Sequence, residues 1–177
     1  MIIAETERLR IRQLTEDDAA FALRLYTSAP FLRFVGDKQL QSVEDARKYL
    51  IEGPISMYQT HGIGLYMVEL KTCQTPLGIC GLIKRDSLDD IDLGYGFMPE
   101  CFNQGYGYES AKAVMEYGRK ELNIEKLVAI TTSDNQQCIK LLNKLGLQFI
   151  ENIEEPEAAP ALGLYAITLQ DGIFGAV

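Results

Sequence analysis

The stretch from Ile91 to Leu122, IDLGYGFMPECFNQGYGYESAKAVMEYGRKEL, constrains the fold most, because its hydrophobic period changes partway along. Ile91, Leu93, Tyr95 and Phe97 alternate with smaller or polar neighbours, the period of two that marks a strand. Pro99 has no backbone donor and ends that strand. From Gly107 onward Ala111, Val114, Met115, Gly118 and Leu122 recur at helical spacing and define one buried face. Between strand and helix lie Gly105 and Gly107. Without a Cβ, their backbone amides can approach a ligand closely. The first amides of a helix lack internal partners, and the helix dipole adds partial positive charge there. The turn is therefore a candidate seat for a phosphate or pyrophosphate that needs no cationic side chain. A Gly-Tyr-Gly by itself reads equally as a tight turn.

Two common phosphate cradles do not match. A P-loop ends in Gly-Lys-Ser/Thr, which is absent. Gly105-x-Gly107-x-x-Ser110 imitates a dinucleotide fingerprint, yet several residues separate it from Phe97, and the next strand has no well-placed acid.

Leu93-Gly94-Tyr95, Pro99-Glu100 and Asn103-Gln104-Gly105-Tyr106-Gly107-Tyr108-Glu109-Ser110-Ala111 together resemble the acetyl-CoA-binding segment of the GNAT N-acetyltransferases. The branch they are most similar to contains the ribosomal-protein N-terminal alanine and serine acetyltransferases. Phe102 stands where the superfamily core has Gln or Arg, a place where that branch usually has an aromatic. Thr6-Glu7-Arg8-Leu9 and Arg33-Phe34-Val35-Gly36 resemble the N-terminal pattern of the same branch. Asn135-x-x-Cys138-x-x-Leu141 followed by Gly146-Leu147 resembles its N-x-x-S-x-x-L…G-F, with Cys138 in place of the usual Ser or Ala. Leu142 occupies the place where many GNAT enzymes carry a Tyr that protonates the leaving thiolate.

The rest of the chain fits one globular unit. Its 177 residues are a single-domain length, with 47% hydrophobic and 24% charged residues. The net charge of −8 argues against nucleic-acid binding and is compatible with a cationic amine substrate. The first residues lack the basic-then-apolar pattern of a signal peptide, and no run approaches a membrane span. Four cysteines without a C-x-x-C pair, and a single His61, argue against zinc or a disulfide framework and for a reducing cytosol.

Leu9, Ile11 and Gln13 read as a first strand. Thr15 with Asp18, and Ser42 with Asp45, open two helices through capping-box-like exchanges. Ala19, Ala22, Leu23 and Tyr26 supply the buried face of the first, and the second runs through Leu50. Gly64–Leu70 and Leu77–Lys84 continue as a meander into the organising strand. Lys126–Thr132 reads as a central strand. A helix follows that is capped at Ser133–Asn135, buried through Ile139, Leu142 and Leu145, and ended by Gly146. Strands begin at Gln148 and Leu162. The acidic segment from Glu151 to Pro160 reads as a solvated hairpin loop or as a lip that attracts a cationic acceptor.

What the resemblance implies is a single domain over 1–177 with a mixed α/β fold. Its sheet is twisted, mainly antiparallel and splayed between two parallel strands, Ile91–Met98 and Lys126–Thr132, with helices on both faces. Acetyl-CoA would lie in the gap as co-substrate, and no metal is expected. Its pantetheine would pair with backbone at Phe97 and Met98. Its pyrophosphate would rest on amides of Asn103, Gln104, Gly105, Tyr106, Gly107 and Tyr108, with Asn135 beside the pantetheine or adenine. Cys138 would lie near the thioester sulfur, as a thiolate-protonating acid or simply as a small packing residue. Asp92 takes the place of a frequent family acid and is the candidate base, with Glu69 as rival; both read equally as solvated strand-edge carboxylates. Phe31, Phe34, Tyr49 and Tyr58 are candidate acceptor walls or ordinary packing, and His61 is a loop residue that could act as a base. Cys73 and Cys80 read as inert thiols.

The implied reaction is attack of a neutral primary amine on the thioester, helped by a base and by donors to the developing oxyanion. The acceptor stays open among a peptide N-terminus, a polyamine, an aminoglycoside-like drug and a small metabolite amine. A CoA-binding sensor or interaction module without chemistry is the alternative. The expected setting is a cytoplasmic monomer or homodimer with no nucleic-acid or membrane partner.

Overall fold

The computed structural model describes residues 1–153 and 161–170. Its eight strands are β1 (Ile2–Glu5), β2 (Leu9–Gln13), β3 (Leu65–Leu70), β4 (Pro76–Ile83), β5 (Ile91–Phe97), β6 (Lys126–Thr132), β7 (Gln148–Ile153) and β8 (Leu162–Thr168). They form one sheet in the order β1-β2-β3-β4-β5-β6-β8-β7. Neighbours are antiparallel except β5 and β6, which run parallel. That parallel pairing is confined to Ile91 with Leu127 and Asp92 with Val128. Beyond Asp92 the two strands part, each held from its other side by β4 or β8. The mixed, splayed sheet that the family resemblance implies is the one observed.

Six α-helices among the described residues accompany it: α1 (Ala19–Tyr26), α2 (Ala29–Phe34), α3 (Val43–Leu50), α4 (Ser56–His61), α5 (Tyr106–Leu122) and α6 (Gln136–Lys144). The register of β4 against β5 divides them between two faces. Cys80 lies opposite Tyr95 and Leu82 opposite Leu93. Leu82 lies beneath Gly118 of α5, where an added Cβ would meet its Cδ1 at 3.2 Å. Ile83 lies opposite Asp92 and Ile79 opposite Gly96, and an added Cβ on Gly96 would strike Phe31 of α2. The N-terminal helices thus cover one face, and α5 covers the other. Ala111, Val114, Met115 and Gly118 are the buried positions of α5 that its spacing predicts.

Local signals explain several ends. The Asp18 carboxylate accepts from the Thr15 amide (2.8 Å), and Ser42 Oγ accepts from the Asp45 amide (3.1 Å). After α6 the Leu147 amide donates to the Leu142 carbonyl and the Gly146 amide to Asn143, with Gly146 left-handed at φ +92°. That is a Schellman ending.

Other expectations change. The sheet begins one strand earlier, at β1, a four-residue edge strand too short and too exposed to show a period. Leu25, not Leu23, is the fully buried leucine of α1. His61 ends α4, a six-residue helix closed by left-handed Gly62, rather than sitting in a loop. Helix α5 begins at Tyr106, one residue before the predicted start. Residues 154–160 of the acidic segment lie outside the described residues. No helix among the described residues is long and apolar enough to cross a membrane.

Candidate active site

Where β5 and β6 part, two cavities meet. The first, about 480 Å³, is lined by Tyr95–Phe97 of β5, by the loop and first turn of α5 (Phe102, Asn103, Gly105–Tyr108) and by one face of α6. The second, about 510 Å³, lies on the side of the N-terminal helices. It is lined by residues of α1–α3, by Asp92–Tyr95 of β5 and by Ala129–Thr132 of β6. Both are within the usual size of a small-molecule site. Five residues line both: Phe31, Phe34, Val35, Tyr95 and Cys138. They mark the junction.

The mouth of α5 is built as its glycines suggest. Gly105 is the N-cap residue at φ +82°, a conformation that costs most side chains about 1 kcal/mol or more. The first helical bond is Glu109 N–H to the Gly105 carbonyl (3.0 Å), and the amides of Tyr106, Gly107 and Tyr108 donate to no group among the described residues. An added Cβ on Gly107 would lie 3.1 Å from Leu141 Cδ2, so a side chain there would fill the cradle. Among the described residues, the charged side chains on this cavity's wall are Lys140 and Lys144, one turn apart on α6. Lys144 Nζ lies 4.3 Å from the centre of the Tyr108 ring. These lysines give an anion a local field opposite to that of the whole chain.

Glu109 fixes this mouth to the start of the chain. Its Oε1 accepts from Thr6 Oγ1 (2.5 Å) and the Arg8 amide (3.1 Å), and its Oε2 from Arg8 Nε (2.7 Å). Arg8 Nη1 also donates to the Gln104 carbonyl (3.0 Å). Burial opposes ionisation of Glu109, but the bonds from Thr6 and Arg8 outweigh it and hold its carboxyl below the usual range. A depressed carboxylate contributes stability above its unfolded pKa and loses it as pH falls through the folded value. Glu109→Gln is therefore expected to lose about 1–2 kcal/mol of stability near neutral pH, Arg8 being partly exposed. That deficit should vanish in acid, which urea melts at a series of pH values would show.

At the junction, the Asn135 side chain accepts from the Cys138 amide (3.2 Å) and caps α6. The Tyr95 hydroxyl lies 3.0 Å from Cys138 Sγ, either atom able to donate. Burial pushes the Cys138 thiol up in spite of hydrogen bonds from Thr131 and Tyr95. Burial also pushes the Tyr95 phenol well above its ordinary value. Both groups stay protonated near neutrality.

Asp92 lies in the wall of the second cavity, 1% exposed, and its Oδ2 accepts from Arg85 Nε at 2.6 Å. Glu69 is buried elsewhere, accepting from Arg12 Nε at 3.0 Å, and lines neither cavity. Arg12 also binds both oxygens of Asp18, so Glu69 belongs to an ion-pair network that ends at the residue capping α1. Neither Glu69 nor Asp92 is the solvated strand-edge carboxylate that is one of the two readings the sequence leaves open for each.

Of the residues predicted around the cofactor, Phe97, Asn103, Gly105, Tyr106, Gly107, Tyr108, Asn135 and Cys138 come together on the first cavity. Met98 and Gln104 do not line it. The Met98 amide donates inward to the Leu77 carbonyl (2.9 Å), and the Gln104 side chain closes its own loop onto the Glu100 carbonyl (2.7 Å). Among the predicted walls, Phe31 and Phe34 line both cavities and Tyr49 the second. Tyr58 lines neither: its hydroxyl accepts from the Leu14 amide and donates to the Leu65 carbonyl. His61 is exposed and lines neither cavity. Cys80 is inert as expected, its thiol pushed up to about 12 by burial. Cys73 is exposed, and Thr75, 3.0 Å from its sulfur, lowers that thiol instead.

The family of acetyltransferases described as the GNAT domain matches residues 8–148. The chain belongs to that family and is an N-acetyltransferase, of a class that uses acetyl-CoA. Among its relatives, the Bacillus subtilis protein YoaA, described as an uncharacterized N-acetyltransferase, is 29% identical over 149 residues, 82% of each chain. Among solved structures, a Salmonella typhimurium acetyltransferase that modifies the N-terminal serine of 50S ribosomal subunit protein L7/L12 gives a TM-score of 0.80 at 18% identity, covering 96% of this chain and 100% of that one. RimL, a ribosomal L7/L12 alpha-N-protein acetyltransferase solved with coenzyme A, gives 0.74 at 16% identity over 96% and 98%. At these identities the structures show the shared fold.

Three contributors escape a reading of the sequence. Tyr95 is predicted as a strand position and as part of the family-like Leu93-Gly94-Tyr95, but not as a partner of Cys138, 43 residues away. The lysines of α6 are legible as an i,i+4 pair on a helix, but not which way that face looks. The latch joins Thr6 and Arg8, legible only as family likeness, to Glu109 on a helix legible by its period, and nothing local pairs them.

Proposed function

We propose that the whole chain, 1–177, acts as one domain that transfers the acetyl group of acetyl-CoA to a primary amine in the cytosol, as a monomer or homodimer. The observation that carries this is the parting of β5 and β6 just beyond Asp92, with the glycine-opened mouth of α5 beside the gap. A diphosphate suits the unbonded amides of Tyr106, Gly107 and Tyr108, supported by Lys140 and Lys144. When bound, acetyl-CoA supplies an activated thioester carbonyl. RimL, solved with coenzyme A, has the same fold and supports the choice of ligand.

The chain's own groups then divide the work. The second cavity admits the acceptor, with Phe31 and Phe34 as shared wall. Asp92 takes the proton that the attacking ammonium must lose, directly or through water. A backbone amide of the parted stretch of β5 polarises the carbonyl oxygen. Tyr95 and Cys138 hold a proton at the junction, where a thiolate leaves; this hydroxyl stands in for the Tyr that Leu142, fully buried, cannot replace. Thiolate is a tolerable leaving group near neutral pH, so the donor's effect is modest.

Tyr95→Phe is expected to lower kcat about tenfold while leaving KM for acetyl-CoA within twofold or so. Steady-state thiol release would measure both, and an unchanged kcat would remove Tyr95 from proton transfer. The proposal as a whole is tested by calorimetric titration of the folded protein with CoA, followed by thiol release from acetyl-CoA with a panel of amines and N-terminal peptides. No CoA binding would sink it; binding without release under any acceptor would favour a CoA-binding sensor.

A further inference from the structure

The second cavity carries charge of the opposite sign to the chain. Over the whole sequence 25 acidic residues outnumber 17 basic ones. Around this cavity the charged residues are Arg33, Lys38, Arg85 and Asp92. The one carboxylate is already bonded to Arg85 at 2.6 Å. Arg33 has Asp134 at 3.2 Å, but both side chains are at least half exposed, so water screens that pair. Lys38 makes no ion pair among the described residues. Much of the remaining wall is aromatic and aliphatic.

With Arg85 already paired to Asp92, an acceptor with a second ammonium would bring like charge against Arg33 and Lys38, whereas one with an anionic group would pair with them. Resting on the acetyl-transfer reading, we infer that the acceptor is a small primary amine that also carries a carboxylate or phosphate. Its amine faces Asp92 and its anionic group lies toward Lys38 and Arg33. Charge assistance makes such contacts stronger than neutral hydrogen bonds, and Arg suits either anion. This reverses the acceptor suggested by net charge alone. It also opposes the cationic acceptor that the acidic segment from Glu151 to Pro160 would attract on its reading as a lip.

Thiol release from acetyl-CoA with matched acceptors tests the inference: phosphoethanolamine against ethanolamine, γ-aminobutyrate against its amide, and spermidine as the cationic arm. The anionic member of at least one pair is expected to be favoured about tenfold or more in kcat/KM, and the pair that shows it names the anion. Lys38→Ala should raise KM for that acceptor about fivefold with kcat and CoA affinity unchanged, and Lys38→Glu should raise it further. A preference for spermidine or for the neutral members overturns the inference, as does a KM indifferent to both Lys38 variants. Calorimetric binding of the N-acetylated products to the CoA-loaded protein separates the two readings. Anionic products binding tighter in the absence of any turnover would keep the anionic site and sink acetyl transfer; equal binding would sink the anionic site.

Discussion

Gly107→Glu is expected to abolish CoA binding in a protein that still folds. Gly107 is the second residue of α5 and lies in the wall of the first cavity. Its φ is not positive, so a side chain there brings no backbone strain. The nearest atoms an added Cβ would meet are Leu141 Cδ2 at 3.1 Å and Phe97 Cε2 at 3.8 Å, both side-chain ends able to move by tenths of an ångström. A carboxylate in the first turn of a helix suits the dipole, so α5 itself is not weakened. A diphosphate at the same turn would meet bulk and like charge where the unbonded amides now point. Like-charge contact in a partly desolvated site costs several kcal/mol, so affinity should fall about 100-fold or more. Calorimetry measures the loss, and a melting curve confirms the fold. Gly105→Ala is the contrast: at φ +82° its cost falls on stability first. Unchanged CoA affinity in Gly107→Glu would move the diphosphate off this helix and take the site assignment with it.

The same helix shows how far local pattern reaches. The change of period between Phe97 and Ala111 is a property of a short window, so strand, turn and helix were legible to within a residue. The Schellman ending at Gly146 and the caps at Thr15 and Ser42 were legible for the same reason. Each is written in residues three or four apart. The splay was expected through likeness, and its extent became visible only in the register, where pairing stops after Asp92 and Val128. No local signal could bring Glu109 to Arg8, 101 residues away, or Tyr95 to Cys138. The misplacements have a common physical source. Tyr58 and Glu69 look like solvent-facing or site residues in sequence. Each is drawn inward by a partner distant in the chain, the Leu14 amide for one and Arg12 for the other. Buried polar groups need such partners, and periodicity does not name them. Charge misled in the same way: a net of −8 says nothing about a cavity whose few charged residues are mostly basic.

Asp92→Asn is expected to give the largest loss of turnover, concentrated at low pH. Asp92 lies at the last parallel pair of the sheet, on the face toward the N-terminal helices and in the wall of the second cavity. It does not line the first cavity, so CoA affinity should be unaffected. Asn keeps the size of the side chain and an oxygen for Arg85 Nε, and removes the capacity to take a proton together with the charge that pairs with Arg85. An α-amine has a pKa near 8 and a Lys-type amine near 10.4, so at about pH 6.5 almost all acceptor arrives as ammonium. There a base should matter by about 100-fold in kcat/KM. As pH rises toward the acceptor's own pKa, free amine becomes available in solution and the two enzymes should converge. Rate profiles of wild type and variant with one acceptor, from about pH 6 to 10, give the comparison. Parallel profiles would leave Asp92 only the task of holding Arg85 in the cavity wall. Glu69 could not then inherit the role, because it is bound by Arg12 and reaches neither cavity; Glu69→Gln should change the melting temperature and leave the slope of the rate profile alone.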